Sequence, residues 1–420
     1  MFNLKILMLS MTFPYPPSRG GTQVRTFNLL KYLSQYHQVT LVTQQSPDVT
    51  EAQIHDLGRF VSHLQVFPRQ DQSYTNFLTK IGRFAQFLQS GTPPNVASYY
   101  SSELQTWLDQ AIQTENFDVL TCEHSVNEIY VRPPWQKQLK VVLNLHSSVY
   151  RTCQQQLSIG ISDHPNRDRL YLPLLKGYEK RLCQKFSEIV VTTSEDQSQI
   201  QKFSPKIPIH LIANGVDLDL FPLRSRDPNG YQLMITGGMD YIINIDAACF
   251  FAQEIFPLLQ IQYPQLQLLI VGANPAPQVL ALTHNPRIKV TGRVPRMVDY
   301  LHQATVCVVP LRSGYGMKLK TLEAMAAGVP VVGSDRALEG LSIDPHHPQA
   351  LRANQVSEYI TAIIQLLDDP NLRAKLSENG RRLIEKNYTW QRLGTDYEAI
   401  LQKNDCSKNR HSYTWHGHEL

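Results

Sequence analysis

The sequence predicts an α/β protein of two doubly wound parallel-sheet domains, residues 1–205 and 229–385, joined by a linker at 206–228. Three observations carry that expectation. Short β-branched apolar runs alternate with helical patterns, which is the rhythm of a parallel sheet covered on both faces. The rhythm stops once, in "PKIPIHLIANGVDLDLFPLRSRDPNG", a stretch rich in Pro, Asp, Asn and Gly, and then restarts. The chain's 420 residues also exceed what one ordinary core holds.

In the first half, "LKILMLS" (4–10) reads as a buried strand, followed by Gly20-Gly21 and a helix over "TQVRTFNLLKYLSQY". Further strands are "QVTLVTQ" (38–44), "FDVLTCE" (117–123), "KVVLNLH" (140–146) and "EIVVTTS" (188–194). "YTNFLTKIGRFAQFLQ" (74–89) sets Phe77, Ile81, Phe84 and Leu88 on one helical face, with Lys80 and Arg83 off it. That helix reads either as packing on the first domain or as touching a membrane or a lipid-linked partner. In the second half the strands are "YQLMITGG" (231–238), "LQLLIVG" (266–272), "IKVTGR" (288–293), "TVCVVPL" (305–311) and "VPVVGS" (329–334). "NIDAACFFAQEIFPLLQ" and "KLKTLEAMAAG" are helices between them. A last helix, within 386–403, is expected to pack back on the first domain, and 404–420 is a polar tail.

Composition narrows the class. The chain is 42% hydrophobic and 18% charged, with a net charge of +4. That mild balance, without a basic stripe, argues against nucleic-acid binding. It suits phosphorylated ligands or an anionic membrane surface. The six cysteines form no C-x-x-C pair, so neither a zinc site nor a redox motif is indicated, and a reduced, cytoplasmic setting is expected. The apolar start runs into Pro14, Pro16 and Pro17 and reads as a first strand rather than a leader. No stretch is read as approaching the ~20 apolar residues of a membrane span.

Ligands of doubly wound sheets bind at the carboxyl ends of the strands. Four constellations fall there or at the linker. In "PLRSGYGMKLKTLEAMAAGVPVV" (310–332), Gly314 and Gly316 allow close backbone approach. The helix that follows offers free N–H groups and the positive end of its dipole, and Lys318 and Lys320 add charge. Glu323 could accept hydrogen bonds from a pair of sugar hydroxyls. The plain alternative is a strand–loop–helix with a glycine turn. Gly20 and Gly21, with Arg19 and Arg25, read as a cradle for phosphate or for a second substrate, or as an ordinary turn. His124 and His146 stand at strand ends, beside Ser147 and Ser148. Asp217-Leu218-Asp219 mimics a D-x-D metal motif, but it sits in a linker and no metal is expected. Asn214, Gly215 and Asp217 instead suit a hinge turn needing positive φ.

The wording of these segments resembles a known family. "KLKTLEAMAAGVPVV" is similar to the sequence around the second glutamate of the E-x7-E motif of the retaining glycosyltransferases of family GT4, the "group 1" type. "GGTQVRTFNLLKYL", "VVTTSEDQSQI", "LIANGVDLDLF" and "VTGRVPRMVDYLHQATVCVVPL" agree in order and spacing, over about residues 1–400. The resemblance implies the GT-B fold, two facing Rossmann-like domains with a cleft between them. It implies a nucleotide-sugar donor, UDP- or GDP-linked, and a saccharide or lipid-linked acceptor on the first domain. It implies retention of configuration, no cofactor, no bound metal, and a cytoplasmic protein with possible peripheral contact at the inner membrane face. Polysaccharide or glycolipid biosynthesis is the habit of the family.

The resemblance also assigns roles. Glu323 should bind the nucleotide ribose. Gly314, Gly316 and the helix start should hold the diphosphate and sugar. His146 resembles a histidine that contacts the donor sugar. Two departures stand out. Tyr315 occupies the place of the first motif glutamate. The Arg and Lys that many relatives carry after the glycine loop of the second domain are absent, since no Lys or Arg lies between Arg226 and Arg287. Lys318, Lys320 and Arg312, with backbone N–H groups of Gly237 and Gly238, are expected to take over the diphosphate. The departures also leave open a non-catalytic nucleotide-sugar-binding protein, and the fold is shared by a nucleotide-sugar epimerase.

Overall fold

A computed structural model describes residues 3–17, 20–69, 87–344 and 346–402. Arg19, the expected helix at 74–89 up to residue 86, and the tail lie outside the described residues.

The first sheet has seven parallel strands in the order β3-β2-β1-β4-β5-β6-β7. These are β1 (Lys5–Ser10), β2 (Gln38–Gln45), β3 (His63–Pro68), β4 (Val119–Glu123), β5 (Lys140–Leu145), β6 (Glu188–Val191) and β7 (Ile209–Leu211). The second has six, in the order β10-β9-β8-β11-β12-β13. They are β8 (Gln232–Thr236), β9 (Gln267–Val271), β10 (Ile288–Val290), β11 (Val306–Val309), β12 (Val331–Gly333) and β13 (Leu351–Arg352). In both sheets the order reverses beside the first strand of the domain, so each has a topological switch point there. The central strands are apolar on both faces because helices cover both. Ile6, Leu7, Met8 and Leu9 of β1 are all fully buried.

Three strands were not foreseen. β3 carries polar residues at alternate positions, β7 is a three-residue edge strand, and β13 pairs only Leu351 and Arg352. β7 lies inside the expected linker, which therefore starts after Leu211. Flanking prolines and shortness hide such edge strands from pattern reading.

The helix expected over 244–260 runs as Ile242–Phe250, a π-turn Phe251–Ile255 and Phe256–Gln262. Pro257 lacks an N–H, which suits a break in the helical ladder there. This corrects the expectation about apolar length. Ile242–Gln262 is 21 residues with a mean hydropathy of 1.5, long and apolar enough to cross a membrane by length and composition. Here Ala248, Phe251, Ile255, Phe256 and Leu259 pack into the second domain's core.

The chain crosses between the domains twice. After β7 it passes through Asn214-Gly215, and it returns after helix Pro370–Asn387 to the final helix Trp390–Gln402. Trp390, Leu393, Tyr397, Ile400 and Leu401 of that helix share a core with Phe27, Leu30 and Leu33 of helix α1 (Gly21–Leu33). The two crossings touch, with Val216 N–H donating to the Tyr388 carbonyl at 2.8 Å.

Asn214 and Gly215 were expected at positive φ, and neither has it. Gly215 is required by space. A Cβ there would lie 2.8 Å from the Trp390 ring and 3.0 Å from its backbone nitrogen. The Asp217 carboxylate accepts from the N–H groups of Asp219 (2.9 Å) and Leu220 (3.3 Å), closing a local turn.

Candidate active site

The carboxyl ends of both sheets meet at the domain boundary, where the loop after β11 approaches the end of β5, and several of the expected site residues gather there. From the second domain, β11 leads into a loop turned by Gly314 (φ +92°) and Gly316 (φ +87°), conformations that favour glycine. The loop enters helix Leu319–Ala326. Lys320 and Glu323 are three apart on that helix and therefore share a face.

The Lys320 ammonium donates to Asn244 Oδ1 at 2.7 Å and lies beside Gly237, where a Cβ would stand only 2.6 Å from it. Asn244 Nδ2 in turn donates to the Gly238 carbonyl at 2.8 Å. The ammonium thus sits against the glycine loop that follows β8, although no cation occurs in that loop's own sequence. Gly237's N–H is committed to the Val271 carbonyl (3.1 Å). Among the described residues the Gly238 N–H makes no hydrogen bond. Only the second of the two expected amides is therefore available to an anion.

Burial pushes the Lys320 ammonium down to about 8 and the Glu323 carboxyl up to about 7. The carboxylate makes no hydrogen bond among the described residues. Burial without a fixed partner is the condition under which a carboxyl keeps its proton and stays ready for a ligand.

Two expected diphosphate ligands are otherwise engaged. Arg312 forms a two-point pair with Asp246 and lies over the Phe250 ring, 4.9 Å from its centroid. Lys318 points back into its own loop and donates to the carbonyls of Gly314, Tyr315 and Gly316. It braces the loop, where it was expected to neutralise a ligand.

On the first domain, His146 follows β5 and meets the glycine loop. A Cβ on Gly316 would stand 2.8 Å from the His146 carbonyl oxygen. The rings of His124 and His146 are perpendicular with centroids 5.0 Å apart. Burial first, then His124 and Arg25, holds His146 well below the usual imidazole range, and burial brings His124 down to about 4. Both are neutral at pH 7. Among the described residues the His146 Nε2 is buried without a partner, and so is the Ser313 hydroxyl of the loop opposite. His124 has a positive φ of 96° and its ring lies over the start of the next short helix, so its place is local.

Gly21 faces the second domain, where a Cβ would touch Leu319 at 3.7 Å. Arg25 does not reach the cleft. It is buried beneath the hinge, donating to Asn144 Oδ1 (3.0 Å), Asn214 Oδ1 (3.0 Å) and the carbonyls of Ile212 (3.0 Å) and Ala213 (2.7 Å). Burial lowers it to about 10. The expectation that it cradles phosphate is corrected. Its donors are consumed by backbone and amide oxygens, an arrangement a planar fork of N–H groups suits.

Sequence reasoning missed Arg151 and Gln155 on helix Val149–Ser158, and Arg336 after β12. Arg151 and Gln155 are spaced i, i+4 directly after a strand end. That spacing was a readable signal for a helix face aimed at the cleft.

Two switch points facing each other, with a cation, a half-buried carboxyl and an uncommitted amide on one side, define a two-domain α/β protein with a site suited to an anionic ligand. Comparisons agree. The family model described as Glycosyltransferase Family 4 matches residues 19–220, and that described as Glycosyl transferases group 1 matches 230–369. The chain belongs to this group 1, GT-B family of glycosyltransferases. A GDP-mannose-dependent monoacylated alpha-(1-6)-phosphatidylinositol monomannoside mannosyltransferase of Corynebacterium glutamicum is 29% identical over 150 residues, 33% of this chain and 39% of that protein. An MMP alpha-(1->4)-mannosyltransferase of Mycolicibacterium hassiacum is 24% identical over 54% of this chain and 56% of its own length. The matched regions thus span between about two-fifths and somewhat over half of these relatives. Among solved structures, sucrose-phosphate synthase from Thermosynechococcus elongatus superposes with a TM-score of 0.69 at 17% identity, covering 95% of this chain and 98% of that one. Anabaena HepE in complex with UDP and glucose gives 0.62 at 15% identity, covering 95% and 99%. These likenesses concern the fold.

Proposed function

We propose that this chain transfers a sugar from a UDP- or GDP-linked donor to a saccharide or lipid-linked acceptor, with retention of configuration and without a metal. The single observation that carries the reading is the placement of Lys320. Its ammonium stands against the Gly237-Gly238 loop, and Glu323 shares its helix face. A diphosphate laid there meets the cation, the Gly238 N–H and the helix start, while the ribose hydroxyls reach the Glu323 carboxylate.

The chemistry follows from that arrangement. The bond between the anomeric carbon and the diphosphate oxygen breaks, and the electron pair leaves with the diphosphate. Lys320 and the helix dipole stabilise that charge as it develops. The acceptor hydroxyl, on the first-domain side, bonds to the anomeric carbon from the face the diphosphate leaves, and its proton passes to the departing phosphate oxygen. Neutral His146 offers a hydrogen bond to a sugar hydroxyl from across the cleft. Domain closure excludes water that would otherwise hydrolyse the donor. A cytoplasmic site with the acceptor presented at a membrane face fits the reading.

The test is a thermal-shift series with UDP, GDP, UDP-glucose and GDP-mannose on the wild type and Glu323→Ala. The expected result is stabilisation by one nucleotide class, lost in the variant. A ligand at about 100 times its dissociation constant adds ~2.7 kcal/mol, a readable shift. If none of the four moves the wild-type curve, the donor reading fails.

A further inference from the structure

Tyr315 stands at the tip of the glycine loop, where a carboxylate was expected. Its ring is in contact with two guanidinium groups that belong to different domains. Arg151, on helix Val149–Ser158 of the first domain, is 3.9 Å from the ring centroid, and Arg336 of the second domain is 4.8 Å from it. Two cations on one ring repel unless each is compensated, and each is. Arg151 lies 3.8 Å from Asp196, and Arg336 lies 3.2 Å from Glu339. A neutral ring is the group that joins two such pairs, because its faces attract both cations without adding charge.

A second contact from the same helix face reaches the same loop. The Gln155 side chain accepts from the Gly314 N–H at 3.0 Å and donates to the Arg312 carbonyl at 3.3 Å. It clasps the loop backbone as a neighbouring strand would. Behind the loop, Lys318 fills its carbonyls. The loop is therefore held from inside by its own lysine and from across the cleft by Arg151 and Gln155.

We propose that Tyr315 is a positioning residue. Held by Arg151 and Arg336 and helped by Gln155, it sets the donor loop in shape only when the two domains are closed. This rests on the donor reading above and deepens it. The loop's order is made to depend on closure, where a carboxylate on the loop would depend on the sugar. A glutamate restored at this position is not equivalent, because it adds a third carboxylate to two arginines that already hold Asp196 and Glu339.

The experiment compares the wild type with Tyr315→Phe, Tyr315→Leu and Gln155→Ala, each as the full chain. Small-angle X-ray scattering reads closure without ligand, and calorimetric titration with UDP, GDP, UDP-glucose and GDP-mannose reads binding. Tyr315→Phe should keep the wild-type radius of gyration and bind within about twofold. Tyr315→Leu should expand the particle and weaken nucleotide-sugar binding about tenfold or more, with Gln155→Ala changing both in the same direction. The proposal is overturned if Tyr315→Leu stays as compact as the wild type. It is also overturned if Tyr315→Phe loses binding as Leu does, since the hydroxyl would then be the working group. If the wild type binds none of the four ligands, the donor reading fails, and the scattering arm still decides the clamp. If Tyr315→Leu does not fold, Gln155→Ala carries the same decision.

Discussion

At the scale of single residues, Lys320 and Glu323 make opposite demands on pH. Lys320, lowered to about 8 by burial, must be protonated to hold a diphosphate. Nucleotide affinity should therefore fall as pH rises through that value, and titration at pH 7 and pH 9 checks it. Glu323 is raised to about 7, again mainly by burial. The folded state thus binds its proton more tightly than the unfolded chain, so stability falls as pH rises from about 4.5 to about 7 and stays lower above that. Glu323→Gln should abolish the nucleotide-induced shift. It should also stabilise the ligand-free protein by ~1 kcal/mol at pH 8, with no gain near pH 3, where both states hold the proton. Melting curves at the two pH values decide this. A gain that persists near pH 3 would show that the carboxylate is not strained in the free protein.

At the scale of elements, the glycine loop works because of two left-handed residues and a close approach. Gly316→Ala places a Cβ 2.8 Å from the His146 carbonyl at a φ of +87°. The strain costs ~1–3 kcal/mol. The loop must move away from His146, so transfer should fall by about 100-fold or more. Denaturation should register only the smaller loss, and comparing the two readouts separates site damage from unfolding. This loop was largely legible in the sequence. The glycines, the helix start and Glu323 are local chain features, and they fall where expected. Lys318 and Arg312 were not legible. Whether a flexible cation meets a ligand, its own loop or an acid such as Asp246 depends on partners distant in sequence.

At the scale of the whole molecule, Arg25 ties α1 to the hinge. Its guanidinium holds Asn144, whose side-chain amide donates to the buried Glu123 at 2.9 Å, and Tyr397 of the last helix reaches the same carboxylate at 3.4 Å. Removing the cation strands a buried acid and several carbonyls. Arg25→Met should therefore cost ~3–5 kcal/mol in urea denaturation. Adding Glu123→Gln should recover part of the loss, because the orphaned charge is gone. If the two losses simply add, the network is not coupled.

Composition, periodicity and local motifs determined the two doubly wound domains, their boundary to within a short edge strand, and the places of Gly314, Gly316 and Glu323 on the loop and helix after β11. These are properties of neighbours along the chain, and pattern reading captures them. Tertiary structure decided which of the long polar side chains serve the cleft. Lys320 crosses to the Gly237 loop, Arg25 sinks under the hinge, and Tyr315 meets arginines from both domains. A long cationic side chain carries its charge several ångströms from its backbone. Its role is set by whichever oxygen or ring the fold brings within reach, and those partners are 76 residues away for Lys320, 189 for Arg25 to Asn214, and on another domain for Tyr315.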